Sequence, residues 1–152
     1  MSFIGNFAAA RAYKATAAYN RELYMMQSRL QEAKTKQAKA IYDTIDRPRL
    51  LKKQDSDYDF LFVRALKSGA EIREGESPYL ALLEAGVNQA TDLAIADFNS
   101  RQAFYDGMNQ SLLTAFKGEG EMFKGKVMAQ SEMIKGFATA GGNYYSTGSL
   151  LG

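Results

Sequence analysis

Between Asn6 and Pro48 the chain contains no helix breaker, and apolar side chains recur along it alternately four and three residues apart. Tyr19, Leu23, Met26, Leu30 and Ala33 set the spacing; Gln37, Ala40 and Thr44 continue it with polar character, flanked by Ile41 and Ile45. A helix brings residues at these separations onto one face, whereas a strand, with its period of two, scatters them. With Asn6 as N-cap, the spacing predicts one helix from Asn6 to about Ile45, roughly 60 Å long at about 1.5 Å per residue. The residues from Tyr19 onward form a coiled-coil-like seam. The first turns are rich in alanine (Ala8, Ala9, Ala10, Ala12, Ala15, Ala17 and Ala18), which lets another backbone come close.

Pro48 disfavours helix at Arg47 and predicts a connector over "DRPRLLKKQDSDYD". Ser56 or Asp57 then caps a second helix carrying Phe60, Leu61, Ala65, Leu66 and Ile72, ending near Glu74 with Gly75 as its left-handed cap. Ser77 as N-cap and Pro78 at the first helical position start the next helix at once. Gly75, Ser77 and Pro78 are therefore the expected hinge, a corner between two helical arms. A short apolar helix, "YLALLEAG", leads into a stripe at Val87, Ala90, Ala94, Phe98, Arg101, Tyr105, Met108, Leu112 and Ala115, with helix to about Lys117. Beyond it Gly118, Gly120, Gly125 and Gly136 weaken the signal, each costing a helix about 1 kcal/mol against Ala. Met122, Phe123, Val127, Met133, Ile134 and Phe137 still support an amphipathic helix there. The uncharged end, Gly136 to Gly152, reads as a flexible tail.

These readings give an all-α chain: two long amphipathic helices plus shorter ones, extended and dependent on assembly. Its segments are an N-terminal long helix (1–46), a basic connector with a second helix (47–75), a short helix with a long arm (76–137) and the tail (138–152). The assembly seam falls on Tyr19, Leu23, Met26, Leu30 and Ala33 in the first arm. In the second it falls on Ala94, Phe98, Tyr105, Met108 and Leu112. Two such seams cannot both be satisfied inside a thin monomer, so a symmetric homo-oligomer is expected.

The chemical inventory argues against catalysis. The chain has no Cys, which removes disulfides and thiolate metal sites, and no His, which removes the commonest general base and metal ligand. The spacing of Gly118, Gly120 and Gly125 fits no phosphate-loop motif. The expectation is a protein that is not an enzyme and has no cofactor, metal or catalytic residues. The N-terminal stretch is not a secretory signal, because Arg11 and Lys14 interrupt its apolar run. No stretch reaches the roughly 20 apolar residues of a single membrane span.

Charge is uneven. Residues 6–75 hold 14 basic and 9 acidic side chains, and residues 76–117 hold 2 and 5. A basic arm and an acidic arm can fold back on each other, in one chain or between neighbours. Arg47, Arg49, Lys52 and Lys53 cluster at the connector and could meet phosphate, of DNA or of an anionic lipid, although nearby aspartates largely cancel their field. The many Phe and Tyr positions read as core or subunit contacts, or as a belt at a membrane interface.

The arrangement of these pieces resembles the smaller internal virion proteins, or ejection proteins, of short-tailed bacteriophages. An Ala-rich, Gln/Arg-dotted helix, "AAARAYKATAAYNRELYMMQSRLQEAKTKQAKA", carries the first part of the likeness. The Gly-Ser break and following helices, "GAEIREGESPYLALLEAGVNQATDLAIADFNSRQAFYDG", carry the second. The resemblance covers about residues 8–110 and is one of layout; the uncharged C-terminus departs from the basic, polar tails of the family. It implies an internal virion component stored near the portal, contacting other virion proteins of the portal and tail, and leaving with the genome. In the host envelope it would help to form a conduit for DNA delivery, which makes host membrane and phage DNA further implied partners. A static virion protein (a head-tail adaptor or tail-tube component) and a nonviral helical adaptor are the competing classes for the same chain.

Overall fold

The structure, a computed structural model, describes residues 3–69 and 77–148, with side chains described over 4–69 and 77–140. The fold is all-α: α1 (Phe3–Ile41), a π-helical turn (Tyr42–Asp46), α2 (Arg47–Lys67) and α3 (Ser77–Gly148), with no strand among the described residues.

The helix does not stop at Pro48. It passes through the π turn, where the Arg47 N–H bonds back to the Tyr42 carbonyl, five residues earlier. The physical reason lies in proline itself. In a regular helix its ring collides with the carbonyl four residues back and its missing N–H leaves an acceptor open. A wider turn just before Pro48 makes room for the ring, and Pro48 stands as the second residue of α2. The Thr44 hydroxyl donates to the Ala40 carbonyl (2.7 Å) and Lys39 pairs with Asp43, so the turn is held by its own side chains. The expected connector over 47–56 is thus helix.

α2 ends sooner than the periodicity predicts. Ser68 closes it, its hydroxyl donating to the Ala65 carbonyl (2.7 Å), and Gly69 takes the left-handed conformation with φ of 72°. The left-handed cap expected at Gly75 is therefore supplied by Gly69, and Gly75 lies outside the described residues. α3 begins at Ser77 with Pro78 next, as the Ser-Pro pair predicts. It then runs without interruption through Gly86, past Lys117 and past the start of the expected flexible tail, to Gly148.

The chain divides into two compact units, one of residues 1–32 with 109–152 and one of residues 33–108. In the first, α1 and α3 pack antiparallel: Phe7 meets Phe137 edge to face (6.3 Å between centroids), Arg21 pairs with Glu119 (2.7 Å), and Ser28 meets Ser111. Two of the glycines that weaken the helix signal, Gly118 and Gly125, are here part of the contact. A Cβ on Gly125 would strike the Ala17 side chain, and one on Gly118 would lie 2.9 Å from Tyr24 Cβ. The backbones come close because nothing larger stands between them. Among the described residues, the buried apolar side chains of this unit are Ala10, Ala17 and Ala129.

In the second unit the end of α1, the π turn and α2 pack antiparallel on the first part of α3. A Cβ on Gly107 would run into Thr35. Gln54 and Gln89 exchange hydrogen bonds, each side-chain amide donating to the other's backbone carbonyl (2.9 and 3.0 Å). Asp97 accepts from the Tyr42 hydroxyl (2.8 Å) and from Arg47 Nε (3.0 and 3.3 Å to its two oxygens). These bonds hold the Asp97 carboxyl below its ordinary range, the Tyr42 bond first and the Arg47 bond second. Burial, then Asp97, pushes the Tyr42 hydroxyl up. Leu82 is the buried apolar side chain among the described residues here.

Candidate assembly surface

Within each pair the helices meet through small and polar residues. On α1 the buried positions are Asn6, Ala10, Ala17, Ser28 and Thr35; on α3 they include Gly107, Ser111, Gly118, Gly125, Ala129 and Gly136. The Ser28–Ser111 contact shows how such a seam is satisfied: the hydroxyls lie 3.0 Å apart, and Ser111 also donates to the Ser28 carbonyl (3.0 Å). No buried side-chain nitrogen or oxygen among the described residues lacks a hydrogen-bond partner.

The large apolar side chains sit on the opposite faces. A step of two residues turns a helix by about 200°. Two residues beyond Ala17, Tyr24 and Ser28 come Tyr19, Met26 and Leu30, exposed at 64%, 64% and 57%. Two residues before Gly118, Gly125 and Gly136 come Phe116, Phe123 and Ile134, exposed at 70%, 70% and 69%. Phe98 and Tyr105 follow the same rule in the second unit, Tyr105 standing two before Gly107. The usual distribution of a soluble helix pair, apolar within and polar without, is inverted. No large side chain among the described residues is fully buried. Such contiguous apolar faces mark surfaces that a partner covers.

Of the seam residues expected from sequence, Tyr19, Leu23, Met26, Leu30, Ala33, Ala94, Phe98, Tyr105 and Leu112 are exposed and Met108 is half-buried. They line the backs of the helices and take little part in holding the chain to itself. The alanines of α1 are legible in the sequence as a close-approach surface; because glycine and serine carry little hydropathy, the inward face of α3 is not. Its signal was the recurrence of small residues at steps of four and seven: Gly107, Ser111, Gly118, Gly125, Ala129 and Gly136.

The basic cluster is split. Arg47 turns inward onto Asp97, while Arg49, Lys52 and Lys53 are exposed on α2 and form no ion pair within the described residues. Of the expected hinge, Ser77 is exposed and Pro78 half-buried. No helix among the described residues is long and apolar enough to cross a membrane. Comparison with known protein families, characterised proteins and solved structures finds no match for this chain.

Proposed function

We propose that the protein is a structural subunit that works as a homo-oligomer, and that it serves as an internal virion protein ejected with a phage genome. In that role the assembled subunits join other virion proteins from the portal and tail and help to form a conduit for DNA across the host envelope. The observation that carries the assembly reading is the inverted distribution of side chains: α1 and α3 meet chiefly through Gly, Ala, Ser and Thr, α2 meets α3 through polar side chains, and most of the large Phe, Tyr, Leu and Ile side chains are exposed. Covering one exposed Phe or Leu contributes roughly 1.5–3 kcal/mol. The virion setting rests on the layout shared with ejection proteins over about residues 8–110.

Two measurements test the proposal in order. Light scattering of the purified chain at micromolar concentration should give a mass of several subunits, and a stable monomer would remove the assembly reading. Mass spectrometry of intact and emptied phage particles should then find the protein in the first and missing from the second. Retention in emptied particles would select the static adaptor, and absence from both would remove the virion setting.

A further inference from the structure

In the first unit the back of α1 carries four large apolar side chains in a row: Tyr19, Leu23, Met26 and Leu30, exposed at 64%, 40%, 64% and 57%. Their spacing of four, three and four residues keeps them on one stripe. α3 packs on the other side of the helix, at Ala17, Tyr24 and Ser28, and leaves this stripe uncovered.

The charged residues between Tyr19 and Leu30 are Arg21, Glu22 and Arg29. Arg21 turns inward and is held by Glu119 (2.7 Å). Glu22 and Arg29 are exposed and form no ion pair within the described residues. They flank the stripe on the same side, seven residues apart. The other flank is Asn20 and Gln27, without charge. One flank of the quartet thus has an acid toward one end and a base toward the other.

We propose that the occupant of the α1 back is the α1 back of a second copy, lying antiparallel about a twofold axis between Tyr24 and Met25. In an antiparallel pair of helices the same flanks meet, so Glu22 stands beside Arg29 of the second copy and Arg29 beside its Glu22. The same register lays Tyr19 on Leu30 and Leu23 on Met26, each pair occurring twice, so the four apolar side chains cover one another. Slid by one repeat toward the N-terminus, the pairing sets Glu22 against Glu22; slid toward the C-terminus, it sets Arg29 against Arg29. The second slide gives Glu22 the amine of Lys36 but lays Tyr19 on Gln37 and Leu23 on Ala33. A parallel pair joins unlike flanks, which offers Glu22 only the amide of Gln27 and sets Arg29 by Lys34. The α3 back of this unit also matches poorly. Its exposed bordering charges are Lys117, Lys124 and Lys126, Glu119 is spent on Arg21, and Glu121 and Glu132 are half-buried, so Arg29 would find no acid there. Like charges brought together cost affinity and exclude the wrong pairing. The contact is isologous: copies join two by two through it, and any larger assembly grows through other faces. The inference rests on the self-association proposed above and adds its face and register.

The test exchanges the two charges, with sedimentation velocity reading association and far-UV circular dichroism confirming that each variant keeps its helices. At low salt Glu22→Arg should weaken self-association about tenfold, and so should Arg29→Glu, because each turns both contacts into like-charge pairs. Glu22→Arg with Arg29→Glu in one chain should restore association toward the wild-type level, since acid and base have then changed places on both copies. The two single variants, mixed, should bind each other more tightly than either binds itself. All the differences should shrink as salt is raised. If the wild type is monomeric throughout, the self-association reading fails and this contact with it. If the wild type associates but the single changes are neutral, or the double exchange stays as weak as the singles, the antiparallel α1 contact is overturned and self-association stands.

Discussion

Two glycines in α3 five residues apart should respond in opposite ways to the same change. Gly120 has nothing within 4 Å of where a Cβ would stand, so Gly120→Ala should raise stability by about 1 kcal/mol through helix propensity alone. Gly125 faces Ala17 across the contact, so Gly125→Ala should instead lower it, by about 1–3 kcal/mol, as overpacking does. Adding Ala17→Gly should recover part of that loss, since the two methyl groups compete for one space. Urea melts at a fixed protein concentration would read all three, and equal responses at the two glycines would show that the close approach is not made. Asp97 gives a second test at this scale. Its pKa is lowered in the folded chain by Tyr42 and Arg47. The stability it contributes is therefore present above the unfolded carboxylate value, about 3.9, and is lost as pH falls below it through the folded pKa. Tyr42 is raised, so its contribution holds below about pH 10 and fades as pH rises through the folded pKa. Asp97→Asn should flatten the acid limb of a stability-against-pH curve, and an unchanged limb would show that the Tyr42–Asp97–Arg47 cluster does not form.

At the scale of elements, the π turn sets the phase of everything after it. It absorbs one residue beyond the α-helical repeat, so inserting one further residue before it, for example an alanine after Ala40, would rotate α2 by about 100°. Gln54 would then no longer face Gln89, nor Arg47 face Asp97. The expected result is a chain that keeps most of its helix signal but melts at lower temperature and with less cooperativity; an unchanged melt would mean that α2 is not held in this register. This element also shows what was legible in the sequence. The spacing of apolar residues was enough to establish helix, because that period survives whichever face is buried. Which face is buried was not legible from apolar residues, because in this chain they mark the outside. Tyr19, Leu30, Phe98 and Tyr105 were recognisable as a seam for the same reason that Gly107 and Gly125 were passed over: hydropathy is written in side chains, and close helix contact is written in their absence. Pro48 misled because its usual effect, ending a helix, has an alternative in which the preceding turn widens.

The whole molecule is a chain whose helices hold each other by shape and a few polar clasps, and so has little hydrophobic reason of its own to stay folded. The exposed ion pair of Arg21 with Glu119 adds register more than stability. Folding and assembly should then be linked, because whatever binds only the folded chain stabilises it by mass action. This predicts a melting temperature that rises with protein concentration. Leu30→Lys and Phe116→Lys place charges on opposite backs of the first unit, at positions exposed by 57% and 70%. Neither touches the inward seam, so a monomer that was stable by itself would tolerate both within about 0.5 kcal/mol, as surface changes usually are. If the backs are covered by neighbours, each lysine must instead be desolvated at a contact. The double variant should sediment as a smaller species than the wild type and melt at a lower temperature that no longer depends on concentration. Sedimentation velocity and thermal melts across a hundredfold range of concentration separate the two cases. A double variant with wild-type mass and a wild-type melt would show that these backs face water, and would leave the inverted distribution of side chains without a partner to explain it.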